Sequence, residues 1–397
     1  MSLRPDVIVV GGGLAGLSVA WHLSRDHRVL VLEQGAQPGA EASAQNAGMV
    51  RRLGEDPHER ALALRTHAFL EAPTGSLEGA MLSRVTGAVV GLATDPHHLH
   101  DGAAHLRAAG VRIEAVDRPG EVAPILEGTR LAAAWYLPDE RVADAHALVD
   151  GLLRGIRAEG GEVRCGVPVS EIRRQGGRVV GVRTRQGDID SEWTVLAAGA
   201  WSGRLAAPLG LWRPLFPLRR SLLFAAAHEA SRPDHPWTWI DDEGVYARPE
   251  TGGWLVSGCD ERHDPPEPGA GSMGPVTPEN RGLAIDKIER FFPALCGARL
   301  ARGWTGLRTF APDRAPILGP DPDAPGLAWA TGLGGYGVTC SIGVGECVAA
   351  WMRGDDTPWV HRPGVAPNRP HLRRWPIRPL GDIHRVRLVS ATPPPQV

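Results

Sequence analysis

Four β-branched residues, Val7 to Val10, run into Gly11, and from Leu14 the apolar positions change period, with Leu14, Leu17 and Trp21 falling three or four apart. The first run predicts a buried strand and the second a helix over 14–23. A further apolar run at 28–32 ends in Glu33, so the chain opens with a strand, a glycine turn, a helix and a second strand, joined by a right-handed crossover. Residues 41–56 are small, polar and aperiodic; 57–69 turns helical and 81–92 reads as one strand. The pattern gives a helix over 144–159, with Leu148, Leu152 and Ile156 on one face, then strands at Val163, 167–172, 179–184 and 193–198, with Gly176 and Gly177 marking a hairpin. Alternation at 219–227, 237–241, 244–248 and 254–259 predicts antiparallel strands. Thr277 and Pro278 open a helix over 278–295. A strand at 327–330, a glycine-rich loop at 331–337 and a helix at 338–352 stopped by Gly354 follow. The Pro- and Arg-rich stretch 355–397 shows little period and reads as a wrapping or partly disordered tail.

At 397 residues the chain exceeds a usual single domain, and 43% hydrophobic with 22% charged residues suits a globular protein. A formal net charge of -2 argues against a nucleic-acid binder. Lys287 is the only lysine in the chain, which makes Schiff-base chemistry on pyridoxal phosphate a poor fit. The 5 cysteines include no CxxC pair, which points to a reducing, cytoplasmic setting. The apolar run at the start is too brief for a signal core or a membrane span, and no later stretch reaches spanning length, so no integral membrane association is expected. His97, His98 and His100 lack a cysteine or carboxylate constellation, so no metal is assigned; the segment reads as a surface helix.

The strongest chemical signal is Gly11, Gly13 and Gly16, a GxGxxG pattern between a strand and a helix. Glycine there permits the tight turn, a close approach to a pyrophosphate and helix-on-strand packing. Glu33, at the end of the second strand, falls where a carboxylate accepts hydrogen bonds from a ribose diol. NAD and FAD both use this fingerprint.

With that fingerprint, Glu33, the 43–48 segment, Val195 to Trp201, Gly306 to Arg308 and Gly334 to Gly337 in this order, the chain resembles the FAD-dependent oxidoreductases of the D-amino-acid oxidase superfamily over residues 7–352. Its D-arginine dehydrogenase and glycine oxidase-like branch is nearest. The resemblance implies an α/β fold: a Rossmann-like FAD-binding domain with a discontinuous second α+β domain carrying a large mixed or antiparallel sheet. It divides the chain into a nucleotide part (1–50, 138–210 and 300–354), a substrate part (51–137 and 211–299) and the tail. FAD is then expected against Gly11, Gly13, Leu14, Ala15, Gly16, Glu33 and Gln34, against Ser43, Ala44, Gln45, Asn46, Ala47, Gly48 and Met49, and against Val169, Ala198, Gly199, Trp201, Gly334, Gly335, Tyr336, Gly337 and Val338. The start of the late helix would face the flavin edge that gathers negative charge.

For substrate, the resemblance implies that Arg308 takes a carboxylate bidentately, with Arg220, or Arg219 in the other register, as a second ligand. Tyr246 and Tyr336 stand where relatives place hydroxyls, and packing is the competing role for each. The expected activity is oxidation of an amino acid or related amine by hydride transfer to flavin N5, giving an imine that hydrolyses to a keto acid and ammonia, with an electron acceptor such as oxygen or a quinone. No essential His or Asp base is expected. Two other readings stand beside it: a 2-hydroxy-acid dehydrogenase on the same scaffold, and a flavoprotein subunit that docks a partner through the Arg-rich tail. Some features depart from the family. Gly87 stands where members that bind basic side chains carry an acid, Met49 replaces a histidine found near the flavin, and 306–316 holds no cysteine for covalent attachment, so FAD is expected non-covalent. Lys287, on a predicted surface helix, does not match the lysine that activates oxygen in some relatives, which leans the reading to a dehydrogenase.

Overall fold

The computed structural model describes residues 4–54, 56–226, 231–267 and 269–373. The expected strand end at Ala227 and residues 374–397 of the expected tail lie outside the described residues.

The apolar runs assemble into a six-stranded sheet in the order Ile317–Pro320, Leu327–Thr331, Trp193–Leu196, Val7–Val10, Val29–Leu32, Glu162–Arg164. All neighbours are parallel except the first pair. Val7–Val10 and its neighbour Val29–Leu32 are buried at every position, as runs without alternation require when both faces are covered. On one face the helices Leu14–Leu23, Ala145–Ala158 and Gly337–Arg353 pack together. Their contact is close because a Cβ on Gly345 would lie 2.1 Å from the Ser18 hydroxyl. The other face carries a three-stranded meander, Val169–Gln175, Arg178–Thr184 and Gly187–Asp190, with the turn at Gly176 and Gly177. The last of these strands was not anticipated; its sequence is polar and mostly exposed, so it carries no apolar alternation. Val7–Val10 has the later strand Trp193–Leu196 on one side and Val29–Leu32 on the other. The order therefore reverses at the carboxyl end of the first strand, where open α/β sheets form a crevice.

A nine-stranded sheet forms the second layer. Arg262–His263, Phe216–Ala226, Gly253–Ser257, Val245–Glu250, Trp237–Ile240, Ala88–Leu92, Ala133–Leu137 and Glu114–Ala115 follow in order, and Arg299–Phe310 pairs along Phe216–Ala226. The sheet is antiparallel save for Trp237–Ile240 beside Ala88–Leu92. Residues from 300, which the sequence reading gave to the nucleotide part, thus begin as a strand of this second sheet. The single strand expected over 81–92 is two, Ser83–Val85 and Ala88–Leu92, in different sheets; Gly87, at φ 71°, turns the chain between them.

Three further expectations are corrected. The helix capped by Thr277, whose hydroxyl accepts from Asn280 N at 3.2 Å, ends at Phe291 because Pro293 starts a separate short turn. Lys287 on that helix is not at the surface: it is 3% exposed, and its ammonium donates to the carbonyls of Glu243, Gly244 and Gly258 at 2.6, 3.1 and 2.8 Å. His97 and His98 lie in a turn, and the helix starts only at His100. The tail does wrap as far as it is described. Arg369, 3% exposed, pairs with Asp313 at 2.7 Å and donates to the carbonyls of Ala315 and Pro316.

The helix Pro57–Glu71, packed on Gly337–Arg353, contains a histidine that makes the fold acid-sensitive. His67 is 4% exposed, and its Nε2 lies 2.8 Å from the Asp139 carbonyl, which requires a proton on that nitrogen. Burial, with Arg52 nearby, lowers its pKa from 6.5 to about 4. A lowered folded pKa means that the unfolded chain takes up the proton first. The stabilisation is complete above 6.5 and is lost as pH falls towards 4. The His67 share of the stability lost over this window is on the order of 3 kcal/mol. His22, likewise lowered to about 4 by desolvation, contributes over the same window, so in thermal melting His67→Gln should reduce the slope of the stability profile without abolishing it. A wild-type slope unchanged in the variant would refute the assignment.

Candidate active site

The crevice at the reversal point opens into a groove of about 670 Å³, within the usual size range of ligand sites. Its floor is the glycine turn. Gly11 holds φ 109°, and a Cβ there would meet the Ala197 carbonyl oxygen at 2.5 Å. Gly16 lines no cavity; its missing side chain lets the helix lie on the strand, since a Cβ would sit 2.1 Å from Gly11 O. Glu33 is 8% exposed, and its two carboxylate oxygens accept from Gly12 N and Gly35 N, each at 2.7 Å. The carboxylate is thereby fixed at the groove wall with lone pairs to spare.

The 41–49 segment crosses the start of the first helix. The Ser43 hydroxyl accepts from Leu14 N at 2.9 Å, and Asn46 clips the turn by donating to Ser43 O at 2.6 Å and accepting from Gly48 N at 2.7 Å. Glu41 and Gln45 reach the other way, to Ser272, which lines the groove from the second layer. A strap around 269–272 is thus tied across the opening. At the far end, Gly334 and Gly335 hold φ 55° and 102°, and the helix Gly337–Arg353 begins with no side chain capping it. Gly337 and Val338 face the groove, so the positive end of a long helix dipole points into it.

Of the residues expected around a dinucleotide, Gly11, Gly13, Leu14, Ala15, Glu33, Gln34, Ser43 and Asn46 line this groove. So do Val169, Ala198, Gly199, Trp201, Gly334, Gly335, Gly337 and Val338. Ala47, Gly48, Met49 and Tyr336 border a second chamber instead. Ala44 and Gln45 line neither; Gln45 fills the space opposite Gly306, where a Cβ would come within 2.5 Å of Gln45 Oε1.

The chamber, about 60 Å³, adjoins the groove, with Asn46, Arg308, Gly334, Gly335 and Val338 bordering both. Arg308 comes from the strand Arg299–Phe310 and is 8% exposed, yet no hydrogen-bond acceptor or carboxylate meets its guanidinium among the described residues. Burial pulls its pKa below the ordinary value, the mark of a desolvated cation without an anion beside it. Pairing settles the register of its neighbours. Arg220, opposite Gly306, enters the chamber, whereas Arg219, opposite Leu307, turns away to Asp264 and Thr305. Arg220 is already held by Glu261 at 2.6 Å, and Glu261 also takes Arg314 at 2.7 Å. It can supply charge beside a bound acid, but part of its fork is occupied. Tyr246 is 3% exposed and stacks on Trp239 at 4.9 Å; burial raises its pKa, so its hydroxyl stays neutral.

Two chamber residues carried no weight in the sequence. Trp239 forms one wall. Arg51 lies over it at 4.2 Å and over Tyr336 at 4.8 Å, and is paired with Asp241. The only sign of Arg51 in the sequence is an arginine doublet after a two-residue apolar step, in a chain full of arginines. Among the described residues no group of three or more His, Cys, Asp or Glu side chains is arranged for a metal, and no helix is long and apolar enough to cross a membrane.

Comparison with known proteins gives this arrangement its context. The family described as FAD dependent oxidoreductase matches residues 6–351. A D-amino acid dehydrogenase of Paramagnetospirillum magneticum is 30% identical over 88% of this chain and 95% of its own. A glycine oxidase of Geobacillus kaustophilus is 27% identical over 90% and 95%. Among solved structures, an L-proline dehydrogenase from P. horikoshii superposes with a TM-score of 0.81 at 20% identity over 92% of this chain and 97% of its own. The glycine oxidase from Geobacillus kaustophilus superposes with 0.77 at 24% over 92% and 99%. These superpositions show the same α/β fold with mixed sheets.

Proposed function

The chain belongs to the FAD dependent oxidoreductase family, and from that premise we propose that it oxidises an amino acid or related amine at its CH–NH bond, with FAD held non-covalently. The observation that carries the substrate side is the buried, unpartnered guanidinium of Arg308 at the junction of groove and chamber. The residues present fit FAD: backbone bared by Gly11, a carboxylate fixed at Glu33 and an uncapped helix start at Gly337 are what a pyrophosphate, a ribose diol and an electron-rich ring edge require. When bound, FAD supplies the acceptor for the hydride that leaves the substrate carbon.

The chain's own residues contribute position and charge. Arg308 fixes the carboxylate through a planar fork, which sets the neighbouring carbon at the mouth of the groove. Arg220 adds positive potential. The Tyr246 and Tyr336 hydroxyls can donate or accept hydrogen bonds at the chamber wall, and Trp239 with Met49 excludes water. The amide N–H groups of Gly337 and Val338 stabilise negative charge gathered at the end of the groove. Among the described residues no histidine or carboxylate lines the chamber, and on this reading the amine is deprotonated by solvent before it is enclosed. The imine formed hydrolyses to a keto acid and ammonia after release.

Non-covalent attachment is supported by a groove lining without cysteine, histidine or tyrosine. In role, the six-stranded sheet and its helices hold the dinucleotide, and the nine-stranded sheet with Arg299–Phe310 carries the substrate groups. Five cysteines without a CxxC pair support a cytoplasmic enzyme, and a net charge of -2 supports partners other than nucleic acid. The electrons pass on to an acceptor, whether oxygen, a quinone or another. Under anaerobic conditions, amino acids should bleach the flavin absorbance of the purified protein while 2-hydroxy acids do not. Bleaching by hydroxy acids alone would turn the assignment to alcohol oxidation.

A further inference from the structure

The chamber holds more positive charge than one carboxylate needs. Arg51, Arg220 and Arg308 all border it, and no acidic side chain does among its lining residues. Their partners lie behind them. Glu261 is shared by Arg220 and Arg314, and Asp241 is shared by Arg51 and His98. Among the described residues no acid pairs with Arg308; Asp260, the nearby carboxylate that acts on its charge, is hydrogen-bonded to Ser221 and Asn280.

Arg51 is unusual in how it is held. Trp239 and Tyr336 stack on its guanidinium, at 4.2 and 4.8 Å, and Asp241 takes Nη1. Nε and Nη2 have no hydrogen-bond partner among the described residues, although Arg51 is only 7% exposed. Two further buried carboxyls, Glu59 and Glu140, lie near Arg51; burial raises both above the ordinary carboxylate range, and neither hydrogen-bonds its guanidinium or borders the chamber. An aliphatic substrate side chain would leave those N–H groups dry and unpaired, which is unfavourable for buried donors. A cationic side chain would meet three guanidiniums.

We propose that the substrate is a compact dicarboxylic amino or imino acid, with Arg308 binding the carboxylate next to the reacting carbon and Arg51 binding the second carboxylate through its unused N–H groups. This rests on the reading of Arg308 as the carboxylate site and adds the chemical class of the rest of the molecule. Arg51 is a specificity residue, held in place by the two rings and by Asp241.

Holoenzyme titrated with unreactive succinate and butyrate, followed by the change in flavin absorbance on binding, tests it. Succinate should bind at least tenfold more tightly. In Arg51→Met the succinate to butyrate ratio should fall to near one, and Arg51→Lys, which keeps the charge without the fork, should give an intermediate ratio. Anaerobic flavin reduction should follow the same order, with aspartate, glutamate or iminodiacetate ahead of alanine and 2-aminobutyrate. Equal binding of the two acids by the holoenzyme, or a ratio that survives in Arg51→Met, overturns the proposal. Butyrate binding that is undiminished in Arg308→Ala overturns instead the carboxylate role of Arg308, so the two failures are told apart. If Arg51→Met does not fold, the holoenzyme ratio and Arg51→Lys still decide.

Discussion

Arg308→Ala should raise the apparent substrate constant by about 100-fold or more while the protein still purifies with FAD. Truncating one partner of a buried charged pair costs about 2–5 kcal/mol, and each 1.4 kcal/mol is a factor of ten. The upper part of that range applies because Arg308 is 8% exposed and no other acceptor competes for its fork. Arg220 is the nearest substitute, and Glu261 already engages it at 2.6 Å. FAD should be retained because the groove is built from backbone at Gly11 and Gly334 and the carboxylate of Glu33, with Arg308 only at its junction with the chamber. Steady-state kinetics with the flavin content measured on the same sample checks both halves. A substrate constant within threefold of wild type would show that the carboxylate sits elsewhere. Arg308→Lys should recover only part of the loss, since an ammonium is a point charge without the planar pair of donors.

Gly11→Ala should yield protein with little or no flavin. The new Cβ would stand 2.5 Å from the Ala197 carbonyl oxygen, and the backbone at φ 109° is one that side chains other than hydrogen rarely adopt. Strain of this kind costs about 1–3 kcal/mol before the steric overlap is counted. The turn can relieve it only by moving away from the Val7–Val10 and Trp193–Leu196 strands, which distorts the surface meant for the pyrophosphate. The ratio of flavin to protein absorbance after purification, with circular dichroism to confirm the fold, reads the outcome; a fully loaded, folded variant would contradict the placement of the dinucleotide.

The nucleotide side was legible from sequence because its determinants are local. A β-branched run, three glycines and a helical period identify the turn wherever it sits, and the end of the second strand locates Glu33. What Glu33 does there was only half legible. Its bonds to Gly12 and Gly35 brace the turn, a role that spacing does not reveal. The substrate side depends on pairing between distant strands. Arg219 and Arg220 are equivalent until the register with Arg299–Phe310 is known, because adjacent residues of a strand face opposite ways. Burial of a cation is a tertiary property as well. Nothing near Arg51 or Lys287 in the chain announces that one stacks between aromatic rings and the other disappears under a helix. The meander strand Gly187–Asp190 was missed for a third reason: it is held by backbone bonds to its neighbour and buries too little to leave a pattern.

With Lys287 enclosed by three carbonyl oxygens, the native fold presents no side-chain primary amine to solvent, and its permanent cationic surface is guanidinium alone. Reagents that select primary amines will find no lysine side chain to modify on the folded chain. Modification at position 287 therefore records each excursion in which the helix Pro278–Phe291 lifts from the nine-stranded sheet, giving the molecule a built-in gauge of its own opening.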